Sequence, residues 1–194
     1  MNTALSGSML QPQLPTGWQV VTPHLFDDYP EAPWSWILEP GSLTQRLQKG
    51  CIGAFNLQLL GETEVIMPDM EAELLDITFG SRARAREVYL ACGEIPCIYA
   101  YSLIPLATLY GDGSYLDGLG TRPLGDALFS DPSLERGPIE VIMLMPGTAN
   151  FTKALNDNVL SSEPLWGRRS VFRTGGNALL VCEFFLPGLH KCMR

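Results

Sequence analysis

The stretch Arg86-Glu87-Val88-Tyr89-Leu90-Ala91-Cys92-Gly93-Glu94-Ile95-Pro96-Cys97-Ile98-Tyr99-Ala100-Tyr101-Ser102-Leu103-Ile104-Pro105 decides the fold. Its first five residues read as a strand with successive side chains on opposite faces, and a Gly93-Glu94 turn leads into a second β-rich run, Ile95 to Ile104, that Pro105 ends. Two such runs joined by a short glycine-containing link predict a β-hairpin. Alternation places Arg86, Val88 and Leu90 on one face of the first strand.

Upstream, residues 51–60 predict another strand, and Glu62 to Asp76 an acidic stretch facing solvent. Ser42-Leu43-Thr44-Gln45 has the form of a capping box, with Ser42 as N-cap, and opens a short helix to about Gln48. Downstream, Gly111 to Gly120 predicts a surface turn, and Pro123-Leu124-Gly125 starts a helix through Phe129. Ile139–Met145 predicts a third clear strand, and Pro146–Pro164 a long polar connection with room for one helix. Ser170–Arg173 and Asn177–Leu186, split by Thr174-Gly175-Gly176, predict a second hairpin. Hairpin-linked strands with few long helices make an antiparallel α+β domain. Residues 1–33, with prolines at 12, 15, 23, 30 and 33, read as an extended arm, which leaves 34–194 as one domain.

A chain of 194 residues buries roughly two-thirds or more of its unfolded surface, enough for one core. With 46% hydrophobic and 18% charged residues it is not a disordered tail. Thirteen Lys+Arg against 21 Asp+Glu give a net charge of −8, the wrong sign for a general binder of nucleic acid or anionic membrane. The longest apolar runs, Ile98–Tyr110 and Ala178–Leu189, are broken by Pro105 and Glu183 and fall short of a membrane helix. Residues 1–15 contain no Lys or Arg and no signal-like apolar core, so the expectation is a soluble cytoplasmic protein. Cys51, Cys92, Cys97, Cys182 and Cys192 are an odd set without a CxxC pair, and are expected to be reduced and mostly buried. With only His24 and His190 beside them, no metal site is expected.

Glu183 sits in phase with Leu179, Val181 and Phe185, so its carboxylate should point into an apolar face. A carboxylate buried there must be paired, neutralised or used. The pattern leaves both an internal ion pair with one of several arginines and a functional site open. Arg82, Arg84, Arg86, Arg168 and Arg169 supply guanidiniums suited either to a carboxylate clamp or to solvated strand ends. The glycine-rich segment lacks the GK[ST] of a phosphate loop, GxSxG is absent, and none of Lys49, Lys153 and Lys191 suggests a Schiff base. The residues therefore predict an apolar pocket with one carboxylate and one arginine, and name no reaction.

Several strings together resemble a known family. They are Pro40-Gly41-Ser42-Leu43-Thr44-Gln45-Arg46-Leu47, Arg86-Glu87-Val88, Ile104-Pro105, Leu119-Gly120-Thr121-Arg122-Pro123-Leu124-Gly125, Leu165-Trp166-Gly167-Arg168-Arg169-Ser170 and Glu183-Phe184-Phe185-Leu186-Pro187. In this order, over roughly Trp34 to Pro187, the chain resembles chorismate pyruvate-lyase. The resemblance implies a single antiparallel sheet of about six strands with helices packed on it, and an enclosed pocket that needs no metal or cofactor. It also implies a monomer that converts chorismate to 4-hydroxybenzoate and pyruvate, for quinone or other aromatic biosynthesis.

By motif match Arg86 would hold the ring carboxylate and Glu183 would hydrogen-bond the 4-hydroxyl, and these two would be the catalytic pair. Leu124 would contribute backbone contacts, and Leu43 would line the pocket where other members carry Met. Where some members carry a second arginine this chain has Tyr101. That change weakens the grip on the pyruvyl carboxylate unless Arg168 or Arg169 stands in. The Pro146–Pro164 connection is an insertion relative to compact members. The same fold serves effector-binding modules of bacterial transcription regulators, so the alternative is a non-catalytic binder of an aromatic carboxylate. Against it, residues 1–33 are too rich in proline and too poor in cations for a helix-turn-helix.

Overall fold

Two long hairpins pair along their second strands and make the centre of the sheet. The computed structural model describes residues 14–155, 159 and 161–192. In chain order its strands are β1 Gln19–Val20, β2 Phe55–Ile66, β3 Arg82–Cys92, β4 Ile95–Pro105, β5 Glu135–Arg136, β6 Glu140–Leu144, β7 Leu165–Thr174 and β8 Asn177–Phe185. The helices are α1 Pro23–Asp28, α2 Trp34–Ile37, α3 Leu43–Gly50, α4 Asp69–Leu75, α5 Leu106–Tyr110, α6 Leu124–Phe129, α7 Ala149–Leu155 and α8 Gly188–Cys192, with a single 3-10 turn at Ser114–Leu116.

The strand order is β1-β6-β7-β8-β4-β3-β2, with β5 pairing β7, and every pairing is antiparallel. The sheet thus has eight strands rather than about six, because the two-residue β1 and β5 add to six longer ones. Of the segment 1–33, residues 1–13 lie outside the described residues. The rest carries β1, hydrogen-bonded to β6, and α1, which Pro23 opens. No helix among the described residues is long and apolar enough to cross a membrane.

Turn chemistry sets the registers. Gly175 and Gly176 both have positive φ, 54° and 83°, the backbone that a two-residue hairpin loop requires. Their turn pairs Thr174 with Asn177 and, six residues further along each strand, Arg168 with Glu183. In the β3–β4 hairpin the register slips by one between Leu90 and Ala91, at a bulge beside Pro96 and Cys97. Arg86 consequently faces Ser102, and Glu87 faces Tyr101.

The two faces of the sheet differ. One face buries Tyr89, Tyr99, Tyr101, Leu103, Leu180, Cys182 and Phe184 with residues of α4 and α7. The other carries two apolar clusters, one packed with α2 and α3 and one with α5 and α6. Two expectations of surface position are corrected. In the acidic stretch, Glu62 forms cross-strand ion pairs with Arg86 and Arg84, and Glu71 is 3% exposed. In the glycine-rich segment Leu116 and Leu119 are buried, because the chain folds back over the sheet there. Across 146–164 the connection carries α7, which buries Phe151 and Ala154; residues 156–158 and 160 lie outside the described residues.

The expectation of reduced cysteines is also corrected. Cys51 caps the C-terminus of α3, and the pairing of β2 with β3 brings it to Cys92, with which it forms a disulfide. Cys97 and Cys182 are buried thiols. The side chain of Cys192 lies outside the described residues.

Candidate active site

Between the two apolar clusters, β4 presents only Ala100 and Ser102 to the sheet face. These small side chains lie between Val88 and Arg86 on β3 and Glu183 and Val181 on β8. The low floor opens a cavity, lined further by Leu43, Leu57, Leu90, Leu128 and Phe172. Its lid is the contact of α3 with α6. Ser42 caps α3 by accepting from the Gln45 N–H at 3.3 Å. A Cβ on Gly125 would stand 2.8 Å from Ser42 Oγ and 3.3 Å from Thr44 Oγ1, so the helices approach this closely only because residue 125 has none.

Arg86 is 3% exposed. Its Nη1 donates to Glu62 Oε2 at 3.0 Å and to the Gly120 carbonyl at 2.9 Å, and its Nη2 to the Arg122 carbonyl at 3.1 Å. Nε–H and the second Nη2–H make no bond to a described residue. That edge of the fork is the one that takes a carboxylate bidentately. Glu183 Oε2 accepts from Arg168 Nε at 2.7 Å, and its Oε1 has no partner among the described residues. Arg168 Nη1 donates to the carbonyls of Trp36, Ile37 and Glu39 at 3.3, 3.0 and 2.9 Å. Behind it, Arg136 donates to Ser170 Oγ and the Glu39 carbonyl. Burial, and then the charge of Arg168, lowers the Arg136 guanidinium to about 10.

The four residues named by motif match, Arg86, Glu183, Leu43 and Leu124, line this one cavity together with Arg168, whereas Arg82 and Arg84 pair with Glu64 and Glu62 outside it. Tyr101 does not. It lies on the opposite face, 1% exposed, with Lys153 Nζ 4.8 Å from its ring centroid. Arg169 also points away, pairing with Glu140 at 2.7 Å and Glu71 at 3.9 Å. Sequence reasoning passed over Glu62 and the carbonyls of Gly120 and Arg122, which position Arg86. It also left the partner of Glu183 open. The Gly175-Gly176 dipeptide, read as a two-residue turn, would have named Arg168. Among the described residues no group of three or more His, Cys, Asp or Glu is placed to hold a metal ion.

The family model described as chorismate lyase matches residues 17–194. The chain belongs to the chorismate lyase family. Its relatives agree. The "Probable chorismate pyruvate-lyase" of Pseudomonas aeruginosa (strain UCBPP-PA14) is 42% identical over 154 residues, which cover 79% of this chain and 83% of that one. The protein of the same description from Pseudoalteromonas translucida is 37% identical over 178 residues, 91% of this chain and 95% of its own. Among solved structures, this chorismate lyase family member shares its fold with regulator domains. The ligand-binding domain of a putative GntR-family transcriptional regulator from Bordetella bronchiseptica superposes with a TM-score of 0.53 at 15% identity, covering 70% of this chain and 86% of that one. The effector domain of PhnF from Mycobacterium smegmatis gives 0.56 at 13% identity, covering 76% and 89%. At such identities the likeness is one of fold alone.

Proposed function

We propose that the cavity binds chorismate and eliminates pyruvate from it, leaving 4-hydroxybenzoate. The observation that carries this reading is the placement of Arg86 and Glu183. They stand on one sheet face across the low floor of β4, in a chain of the chorismate lyase family. The ring carboxylate sits on the open Nε/Nη2 edge of Arg86, and the 4-hydroxyl donates to Oε1 of Glu183. The flat ring lies on Val88 and Leu90, under Leu43, with the backbone at Leu124 closing over it.

The bond from ring C3 to the enolpyruvyl oxygen breaks, and its electron pair leaves with that oxygen. C4 gives up its hydrogen, and the C4–H pair completes the aromatic ring. The proton ends on the methylene carbon of the departing group, which becomes the methyl of pyruvate. The step is redox-neutral and driven by aromatisation, so the residues supply orientation and charge. Glu183 polarises the 4-hydroxyl, and a concerted transfer of the C4 hydrogen to the side chain uses the same contacts. The reading includes a cytoplasmic monomer that makes 4-hydroxybenzoate for quinone or other aromatic biosynthesis.

The test is to mix the purified protein with chorismate and quantify 4-hydroxybenzoate and pyruvate together. Equal amounts of both, formed above the spontaneous rate, are expected. Formation of neither overturns the reading. If 4-hydroxybenzoate then still raises the melting temperature, the non-catalytic binder replaces it.

A further inference from the structure

We propose that Arg168 is a substrate-binding residue whose Nη2 takes the enolpyruvyl carboxylate of chorismate while its Nε holds Glu183. The proposal rests on the chorismate reading of the cavity and adds the partner for the second of the substrate's two carboxylates.

The donor inventory comes first. A guanidinium carries five N–H groups. Arg168 spends Nε–H on Glu183 and Nη1 on three main-chain carbonyls. The two N–H groups of Nη2 meet no acceptor among the described residues, although the residue is 2% exposed and lines the cavity. The cavity therefore offers these N–H groups to an acceptor that a ligand can bring. The Nη1 contacts with Trp36, Ile37 and Glu39 meanwhile fix the guanidinium plane before any ligand arrives.

Position agrees with this. Arg168 is the direct cross-strand partner of Glu183, so the two side chains stand next to each other on the same face. In chorismate the 4-hydroxyl and the enolpyruvyl ether occupy adjacent ring carbons. A ligand whose hydroxyl meets Glu183 therefore carries its side chain past Arg168. Arg86 is three inter-strand steps away, about 14 Å between strand axes, and reaches in from the other end with its own open edge. The two guanidiniums thus bracket a ligand with two carboxylates.

Charge balance permits it as well. Arg136 stands behind Arg168, so this end of the cavity holds two guanidiniums beside Glu183, while Glu39, whose charge also reaches Arg136, is paired with Arg46. A further carboxylate there meets net positive charge. No other described cation competes for the role. Arg86 and Arg168 are the two that line the cavity, and Arg169 and Lys153 serve the opposite face.

The test uses 3-carboxymethoxy-4-hydroxybenzoate, which keeps the ring, the hydroxyl and a second carboxylate, and its side-chain methyl ester, which lacks that charge. In the wild-type protein the acid should bind about tenfold or more tighter than the ester by calorimetry. Arg168→Lys should shrink this ratio to about threefold or less, because a point charge cannot hold Glu183 and the side-chain carboxylate together. Arg86→Lys should weaken both ligands equally and leave the ratio unchanged. A wild-type ratio near one overturns the proposal without any variant, and so does an unchanged ratio in folded Arg168→Lys. Failure of the chorismate reading looks different: neither aromatic ligand binds and chorismate yields no pyruvate.

Discussion

Arg86 and Glu183 bring opposite charges into one apolar cavity, and each keeps one face of its group open to it. Glu183→Gln retains shape and hydrogen bonding while removing the charge. We expect turnover of chorismate to fall about tenfold or more, and unchanged turnover would remove Glu183 from the mechanism. Arg86→Ala should abolish calorimetric binding of 4-hydroxybenzoate; wild-type affinity would show that the ring carboxylate lies elsewhere. Glu71 makes the contrasting case. Burial raises its carboxyl above the usual 4.5, with the Arg169 charge opposing only in part. A raised carboxyl contributes stability that is present below pH 4.5 and lost as pH rises through the folded value. Relative to wild type, Glu71→Gln should therefore gain in denaturation midpoint as pH is raised from 4.5 towards neutrality. A difference that stays constant over that range would contradict this. Glu183 was legible because alternation puts a carboxylate on an apolar face, whereas Arg86 stood out among five arginines only through its resemblance to the family motif. Glu71 was not legible, since a helix that starts three residues past a strand end hides which carboxylate the core will cover.

The α3–α6 contact closes the cavity and depends on two small facts of sequence, the Ser42 cap and the missing side chain at 125. In an open helix Gly→Ala is stabilising by about 1 kcal/mol. Here the new methyl would lie within 3 Å of a hydroxyl already engaged as a cap, and forcing such contacts costs about 1–3 kcal/mol. Gly125→Ala should lower the melting temperature and raise KM for chorismate. In a Ser42→Ala background, which itself loses a cap worth about 1 kcal/mol, the same substitution should cost less. Strictly additive effects would show that the helices do not meet through these residues. The helix starts were readable from Ser42 and from Pro123-Leu124-Gly125, but their mutual contact was not. The β3–β4 bulge was equally hidden. Counting back from the Gly93-Glu94 turn without it sets Tyr101 opposite Arg86, and one slipped residue sends Tyr101 to the other face. The expected loss of a pocket cation at that position is thus a substitution in the far core.

At the scale of the whole molecule, one sheet separates a sealed core from a working face, and the working face needs its helical cover held down. Most of that cover is fixed by packing, as Leu43 and Leu47 of α3 are fully buried. The Cys51–Cys92 disulfide adds a covalent tie from the end of α3 to the end of β3, across 41 residues of chain. It joins the helix that forms the lid to the strand that carries Arg86. The five-cysteine pattern was silent on this pairing, because partners 41 residues apart meet only once β2 has folded back on β3. Closing a loop of that length removes denatured-chain entropy worth about 4 kcal/mol at most, and measured bridges commonly give about 2–4 kcal/mol. Denaturant titration should accordingly show Cys92→Ser, or the reduced wild type, losing about 2–4 kcal/mol. Alkylation under native, non-reducing conditions should leave Cys51 and Cys92 unmodified. If both sites are alkylated before any reductant is added, the tie is absent in solution, and packing of Leu43 and Leu47 alone must hold the lid.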